Sequence, residues 1–377
     1  MYFQREYLRQ AASQTLGTTY QVDLPKNGLL MGMVLYISGT QASGFGQDGG
    51  DWRIVDKITK VEIIGDGAQV IKSLQGKQAQ GIGFLDTKVT MPDMWRNYAA
   101  NSQRCYIPLL FGRKMFDLNY GLDLSKWKNV ELKITNNAAA ASFANLSVDI
   151  MCYYLRDAAV GQFGGYMASE QWRQWVPVAG ETKYLEIPSD WLVRRIILNP
   201  VPGRNTGSTG EWYDTCNNLM YEIELAFNTG VNRVWKDGFQ MLMACNYLEH
   251  GAYALTQALT YLNADKALDM GLGYTFALAG MPASKSGSAA TIDFTVNADI
   301  SSNIPKTENY QADICNYWLT TGMGYQNMGV FAFDIDPNPA NWLNTKEKDV
   351  VKLDIATRST ATVTSCYNNV VLERLVR

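Results

Sequence analysis

The chain has 377 residues, more than a single hydrophobic core usually organises, so two domains of about 150 to 200 residues are expected. Charged residues make up 18% of it, below the roughly 25% of typical soluble proteins, which predicts that other protein covers much of its surface. The net charge of −3, with scattered Lys and Arg, argues against direct binding of nucleic acid, which needs basic patches.

Residues 1–18 predict an amphipathic N-terminal arm. MYFQREYLRQ places charges where a secretory signal needs an apolar core, so we expect no export signal. The arm either frays or docks on a neighbouring subunit or a membrane surface. The weakly apolar stretch at 138–155 contains Ser, Asn and Asp and is too polar for a membrane span, which predicts a soluble chain.

Residues 19–156 predict a first β domain. Short apolar stretches punctuated by Gly and Pro indicate strands at 20–24, 29–38, 58–64, 69–74, 106–115, 130–135 and 146–155, with a connection or short helix at 118–126. A Gly-rich stretch at 39–52 predicts a loop. Many short strands with little helix favour a sandwich or jelly roll over a parallel-sheet enzyme.

A linker with a short helix is predicted at 157–181, where SEQWRQWVPVAG can form one or two turns before Pro177. A second β domain is expected at 182–377, with an insertion at about 237–320. Within the insertion, Leu248, Ala252, Leu255, Leu259 and Leu262 recur at helical spacing and predict a helix that stops by Gly271. A hairpin is predicted from 274–279 and 291–298 with an exposed tip at 284–288, and strands return at 325–333, 350–355 and 370–376.

An internal repeat links the two β domains. VDLPKNGLLMGMVL (22–35) matches LEIPSDWLVRRIIL (185–198) at an offset of 163, with three identical and seven similar positions among 14. Val61 matches Ile223 at an offset of 162, and VELKI (130–134) matches VKLDI (351–355) at an offset of 221. Chance similarity of apolar strands is the alternative, but three matches in one order favour a duplication whose second copy is longer by 58 residues (221 − 163).

Residues that could carry chemistry are few. His250 is the single histidine, which leaves no material for a two-histidine metal site and favours a packing role. Asp334 and Asp336 begin a calcium-like loop, but Pro339 stands where that loop needs Gly and Thr345 where it needs Glu. We therefore predict no catalytic, cofactor-binding or metal-binding residues, no cofactor and no enzyme activity, and the sequence leaves open whether the two aspartates bind any ion.

The six cysteines are widely spaced and form no CxxC pair: Cys105, Cys152, Cys216, Cys245, Cys315 and Cys366. A chain of this length does not need disulfides to stabilise a small core. Buried free thiols, made in a reducing cytoplasm, are the expectation.

Several segments share a recognisable pattern and order: VDLPKNGLLMGMVLYISG, KITKVEIIGDGAQVIKSL and YIPLLFGRKMFDLNYGLDLSKWKNVELKI in the first copy, and LEIPSDWLVRRIIL and GVFAFDIDPNPANWLNTKEKDVVKLDI in the second. They resemble the double jelly-roll major capsid proteins of the lineage that includes tailless membrane-containing phages and adenovirus. The resemblance spans nearly the whole chain, in pattern rather than in an invariant signature.

The resemblance implies an all-β fold of two tandem eight-stranded jelly rolls, with the longer insertions in the second. It also implies a structural protein of the virion, synthesised in the host cytoplasm, whose homotrimers form pseudo-hexagonal capsomers of an icosahedral shell. The implied partners are neighbouring capsomers, penton and minor capsid proteins and, in many relatives, an internal membrane. A carbohydrate-binding or glycan-cleaving β-sandwich protein is one alternative. A minor capsid or spike protein of the same virion is another.

Overall fold

The computed structural model describes residues 1–42, 53–93, 102–158, 161, 163–202, 212–228, 230–260, 274–284, 314–361, 363 and 366–377. The first half contains nine described strands: β1 (Tyr2–Gln14), β2 (Thr19–Asp23), β3 (Leu29–Gln41), β4 (Ile58–Gly65), β5 (Gln69–Leu74), β6 (Ser102–Leu110), β7 (Leu122–Asp123), β8 (Val130–Asn136) and β9 (Phe143–Arg156). Two helices, α1 (Ile54–Lys57) and α2 (Gly76–Thr87), lie on either side of the β4–β5 hairpin.

The second half contains twelve described strands: β10 (Tyr166–Trp175), β11 (Thr182–Glu186), β12 (Leu192–Val201), β13 (Glu222–Phe227), β14 (Asn232–Asp237), β15 (Tyr253–Thr260), β16 (Tyr274–Ser284), β17 (Ile314–Met323), β18 (Gly329–Ala332), β19 (Leu343–Asn344), β20 (Val351–Ala356) and β21 (Tyr367–Val376). Helix α3 (Trp212–Leu219) precedes β13, and helix α4 (Phe239–His250) follows β14.

Each half forms two four-stranded layers of the same order. The first half has β1-β9-β3-β6 facing β2-β8-β4-β5, and the second has β10-β21-β12-β18 facing β11-β20-β13-β14. Short β7 adds to β3, and short β19 adds to β12 in the same way. These are two eight-stranded jelly rolls. The predicted fold class is confirmed.

The two rolls share one sheet. β10 of the second roll pairs antiparallel with β21 and, on its other side, in parallel with β5 of the first roll. This pairing joins one layer of each roll into a nine-stranded sheet. A separate three-stranded sheet, β15-β17-β16, is built from the insertion in the second roll.

The sequence repeat coincides with equivalent strands of the two rolls. Its three matches relate β3 to β12, β4 to β13 and β8 to β20. Individual hydrogen bonds repeat at the same offsets: the Leu24 amide donates to the Val130 carbonyl at 2.8 Å, and the Ile187 amide donates to the Val351 carbonyl at 2.9 Å. The duplication therefore extends from the strand order to single hydrogen bonds.

Two segments that were predicted to lie outside the framework are strands. The predicted arm at 1–18 contains β1, which pairs with β9 along its length. The helical turns predicted in the linker at 157–181 are wrong, because Tyr166–Trp175 is β10 and lies between β21 and β5. Pairing on both sides overrides the weak local helical signal. We propose that the two rolls divide between Arg156 and Tyr166.

The helix predicted from Leu248 to Leu262 is also wrong. Helix α4 ends at His250, and Gly251 follows it with a φ of 79°, which is a left-handed conformation suited to glycine. Tyr253–Thr260 is strand β15 and pairs with β17. The predicted strand at 274–279 is confirmed within β16, whereas residues 261–273, 285–288 and 291–298 lie outside the described residues.

Each roll has its own hydrophobic core, and the two cores meet at the shared sheet. The first core is lined by β3, β4, β6, β8 and β9 and also contains Ile197, Val330 and Val371 from the second roll. The second core is lined by β12, β13, β20 and β21. In the described part of the chain, no helix is long and apolar enough to cross a membrane.

Leu109 tests the core assignment. It lies on β6 and is 2% exposed, so Leu109→Asp would bury an unpaired carboxylate. We expect it to lower the free energy of unfolding by about 4 kcal/mol or more and to abolish the soluble folded protein. Val176→Asp, at an exposed aliphatic residue, should keep the wild-type denaturation midpoint. Cooperative wild-type unfolding of Leu109→Asp would contradict the assignment.

Candidate functional site

Charged side chains from both rolls converge where the rolls meet. We call them the junction cluster, and they come from β5, α2, β12, β21 and the segment after β18: Lys72, Asp86, Arg194, Arg195, Asp334 and Glu373. Each of the six side chains is at most 9% exposed. Three cations face three anions, so the cluster is neutral as a whole. Buried charges require this kind of compensation.

A β-bulge places two consecutive arginines on the same side of the second roll. The register between β12 and β21 shifts between Val193 and Arg195, so Arg194 is the additional residue of the bulge. Successive strand residues normally point to opposite faces, and a bulge reorients one of them. Both guanidinium groups therefore enter the junction.

The arginines bridge the two rolls through a shared carboxylate. Asp86 at the C-terminal end of α2 accepts a hydrogen bond from Arg195 Nη1 at 2.7 Å and forms an ion pair with Arg194 Nη2 at 2.8 Å. Arg194 Nε also donates to Asp334 at 2.7 Å, and Arg195 Nη1 lies 3.2 Å from Glu373. Burial alone would lower the pKa of Arg194, but these carboxylates outweigh that effect and raise it.

A second chain of hydrogen bonds runs along the β5–β10 pairing. Lys72 Nζ donates to Ser169 Oγ at 2.8 Å, and Ser169 Oγ donates to Glu373 Oε1 at 2.7 Å. Burial lowers the pKa of Lys72 to about 8, and the Glu373 carboxylate opposes that shift. For Glu373, burial raises the pKa, but Arg194, Arg195 and Lys72 together outweigh burial and lower it. Removing any one partner leaves a buried charge without compensation.

Helix α2 lies in the junction and is buried on nearly all sides. A Cβ atom at Gly81 would approach Met328 Sδ of the second roll to 2.4 Å, so that position admits only glycine without repacking. The rings of Phe84 and Tyr325 lie 5.5 Å apart. Gln326 Nε2 donates to Gln80 Oε1 at 2.7 Å across the same contact. The sequence does not predict this helix, because three glycines lower its helix propensity and its amphipathic pattern is weak.

His250, the single histidine, lies at the end of α4 beside Lys88. Its Nδ1 accepts a hydrogen bond from Lys88 Nζ, and burial, followed by the Lys88 and Arg195 charges, lowers its pKa to about 3. The imidazole is therefore neutral at physiological pH. With one ring nitrogen occupied and the side chain 9% exposed, it is poorly placed to act as a general base.

The two aspartates of the calcium-like loop lie in different surroundings. Asp334 belongs to the junction cluster, where its carboxylate contacts guanidinium groups. Asp336 lies on the surface and accepts from the Asn338 amide at 2.8 Å and from Asn341 Nδ2 at 2.7 Å. The structure does not bring the two carboxylates to a common point. Among the described residues, no group of three or more His, Cys, Asp or Glu could hold a metal ion.

Other candidate features are small or inert. Four of the cysteines with described side chains are buried thiols, and Cys245 is half-buried. A cavity of about 130 Å³ near the start of β10 is lined by Trp127, Phe163 and Tyr166 with Asp123 and Arg377. Sites for small organic ligands usually measure about 300 Å³ or more, so this cavity suits a few water molecules rather than a substrate.

The junction therefore fastens the two rolls together. One sequence signal could have revealed it. Arg194 and Arg195 interrupt the apolar strand WLVRRIIL, where two adjacent charges need buried partners. The partner carboxylates lie more than 100 residues away along the chain, so the sequence could indicate the need for partners without identifying them.

Comparisons with known proteins give structural likeness only. No protein-family model and no curated protein sequence matches the chain. The STIV MCP structure is 14% identical, with 100% of this chain and 96% of that chain covered at a TM-score of 0.59. The PBCV-1 virus capsid model is 12% identical, with 99% and 94% covered at a TM-score of 0.57.

A third similar structure is the major capsid protein P2 from Bacteriophage PM2. It is 10% identical, with 100% of this chain and 98% of that chain covered at a TM-score of 0.50. Likeness at this level of identity establishes the fold. The match spans each protein from end to end, so the double jelly-roll fold applies to the whole chain rather than to one roll.

Asp334→Asn tests the junction cluster, with Asp336→Asn as the matched control. The first change removes a carboxylate charge beside Arg194, which is 1% exposed, and we expect it to lower the free energy of unfolding by about 3 kcal/mol. The second change lies on the surface and keeps an acceptor, so an effect within about 0.5 kcal/mol is expected. Equal denaturant midpoints for the two variants would show that the cluster adds nothing to stability.

Lys72 predicts a specific pH dependence. Its pKa is about 8 in the folded protein and 10.5 in the absence of burial, so the folded state disfavours the ammonium. The unfolded chain binds more protons between these values, so this penalty, roughly 3 kcal/mol, disappears as the pH rises from 8 to 10.5. The unfolding free energy of the wild type should therefore rise relative to Lys72→Met across that window. It should not rise relative to Lys60→Met, which changes an exposed lysine.

Proposed function

We propose that this chain is a major capsid protein, a structural and non-enzymatic component of an icosahedral virus shell. The observation that carries the proposal is the end-to-end match of its double jelly-roll fold to the STIV MCP and to the major capsid protein of Bacteriophage PM2. The junction supports it, since its buried charges pair with one another and hold the two rolls together.

Geometry supplies the assembly principle. A homotrimer of a duplicated roll presents six similar lobes, so an object with three-fold symmetry has a nearly hexagonal outline and can tile a closed shell. The low fraction of charged residues, 18%, suits a surface that is largely covered by neighbouring copies. Neighbouring capsomers and penton and minor capsid proteins are the partners of such a trimer in the virion.

The insertion in the second roll fits the same role. The sheet β15-β17-β16 is an addition to the common framework, and we propose that this sheet projects from the outer face of the capsomer. Long decorations on a conserved scaffold are where recognition surfaces usually lie.

The mass of the purified protein tests the proposal. Light scattering on a sizing column should give about three times the 42.1 kDa of one chain, and the trimers should form shells visible by electron microscopy. A monomer that persists at high concentration and binds members of a glycan panel would favour the carbohydrate-binding alternative. A trimer that is only a minor band of purified virions would indicate a spike or minor capsid protein.

A further inference from the structure

Two edge strands are free where their counterparts are covered. The inference drawn from them rests on the proposed trimer. Within the chain, β5 of the first roll pairs with β10 of the second. The counterpart of β10 in the first roll is β1, and the counterpart of β5 in the second roll is β14. Among the described strands, none pairs with the outer edge of β1 or of β14. Unpaired edges of this length are usually protected or used for association.

Pairing registers establish the residue-level equivalence of β1 and β10. Glu6 lies opposite Cys152 in the first roll, and Ser169 lies opposite Glu373 in the second. The offsets are 163 and 221, the same values as in the sequence repeat. Glu6 thus corresponds to Ser169, and by the same offset Tyr7 corresponds to Glu170.

The hairpins that contain β5 and β14 are equivalent in the same detail. Glu62 pairs with Ser73, and Glu224 pairs with Lys236. Both hairpins shift register at the next position along, between residues 63 and 64 and between residues 225 and 226. Lys236 therefore corresponds to Ser73, and Trp235 corresponds to Lys72. The two edges have the same shape.

Exposure shows which member of each pair lacks a cover. On β10, Tyr166 is 7% exposed, whereas its counterpart Phe3 on β1 is 47% exposed. Tyr2 and Tyr7 on β1 are about half exposed as well. On the other edge, β5 is largely buried and β14 is almost entirely exposed.

Helices α2 and α4 repeat the contrast. Both have 12 residues and their starts differ by 163 (239 − 76). Phe84 and Leu85 of α2 are buried by the second roll at 3% and 5% exposure, whereas their counterparts Tyr247 and Leu248 of α4 are 40% and 84% exposed. A large apolar surface on α4 is therefore left open next to β14. Contiguous surfaces of this kind mark association sites.

We propose that β1 of one subunit pairs in parallel with β14 of the next, with α4 packed beside the new pairing. The occupant of each free edge is a second copy of this chain. The internal contact pairs Ser169 with Lys72 and Glu170 with Ser73, so the equivalent contact pairs Glu6 with Trp235 and Tyr7 with Lys236.

The direction of this contact accounts for a closed ring. In the chain, the β5 side of roll one meets the β10 side of roll two. Between chains, the β14 side of roll two meets the β1 side of roll one. In both contacts, the β5 or β14 side of one roll meets the β1 or β10 side of the next roll. This is a head-to-tail arrangement, which can close into a ring, and three chains supply its six rolls.

A cross-link tests the register. In the oxidised double variant Tyr7→Cys/Lys236→Cys, neighbouring subunits should be joined into covalent trimers on a non-reducing gel, because paired strands bring Cα atoms about 5 Å apart. Each single variant should remain a monomer on that gel, since a head-to-tail contact never places a residue opposite itself. The matched control is Tyr184→Cys/Lys236→Cys, which should form no covalent trimer. Tyr184 is also an exposed tyrosine, but it lies on β11, the opposite edge strand of the β14 sheet.

Disruption of the edge gives an independent test. Tyr7→Asp and Leu248→Asp should each shift the sizing-column mass from trimer to monomer while leaving the unfolding midpoint of the monomer unchanged. Tyr184→Asp should stay trimeric. A wild-type trimer that survives both interface changes and forms no cross-link would overturn this contact and leave the capsid proposal standing. A wild-type monomer at every concentration would overturn both.

Discussion

The pairing of β10 with β5 is the contact on which the rest of the molecule depends. The other contacts between the rolls come from α2, from the junction cluster, from second-roll residues such as Val330 in the first core, and from single backbone hydrogen bonds such as that from the Met167 amide to the Phe111 carbonyl at 2.8 Å. The parallel pairing joins the sheets, and the buried charges restrict the approach to one register. Lys72, Ser169 and Glu373 can be satisfied together only when β5 and β10 are correctly aligned.

Buried ionic groups add specificity more reliably than they add stability. Six charges in one neutral cluster could be replaced by apolar residues of similar volume with little loss, but an apolar contact would tolerate shifted registers. The equivalent positions at the free edges illustrate the difference. Trp235 stands where Lys72 is, and Cys152 stands where Glu373 is. At these two positions the contact inside the chain is ionic, whereas the residues at the open edges are uncharged.

The sequence predicted the duplication and a sandwich or jelly-roll fold, since alternating strands and Pro/Gly punctuation are local signals and the repeat places them in register, whereas the count of eight strands per roll was implied by the family resemblance. Prediction from the sequence failed for the segments whose structure is determined by tertiary contacts. SEQWRQWVPVAG lacks a strong strand pattern and becomes β10 because β21 and β5 flank it. Helix α2 needs glycines at Gly81 and Gly83 for close packing, at the expense of a clear helical pattern. The junction cluster depends on partners far apart in sequence, which no local pattern identifies.

The difference between the two kinds of contact also determines how rolls can alternate around a ring. If β10 of one chain met β14 of another, Glu373 and Ser169 would face Trp235 in place of Lys72, and the buried carboxylate would lose one of its cations. If β1 met β5, Lys72 would lie beside Glu6 and Cys152, and the buried Asp86 carboxylate would lose Arg194 and Arg195. Each mispairing leaves a buried charge undercompensated, which costs several kcal/mol. The charges inside the chain therefore favour strict alternation of first and second rolls around the ring.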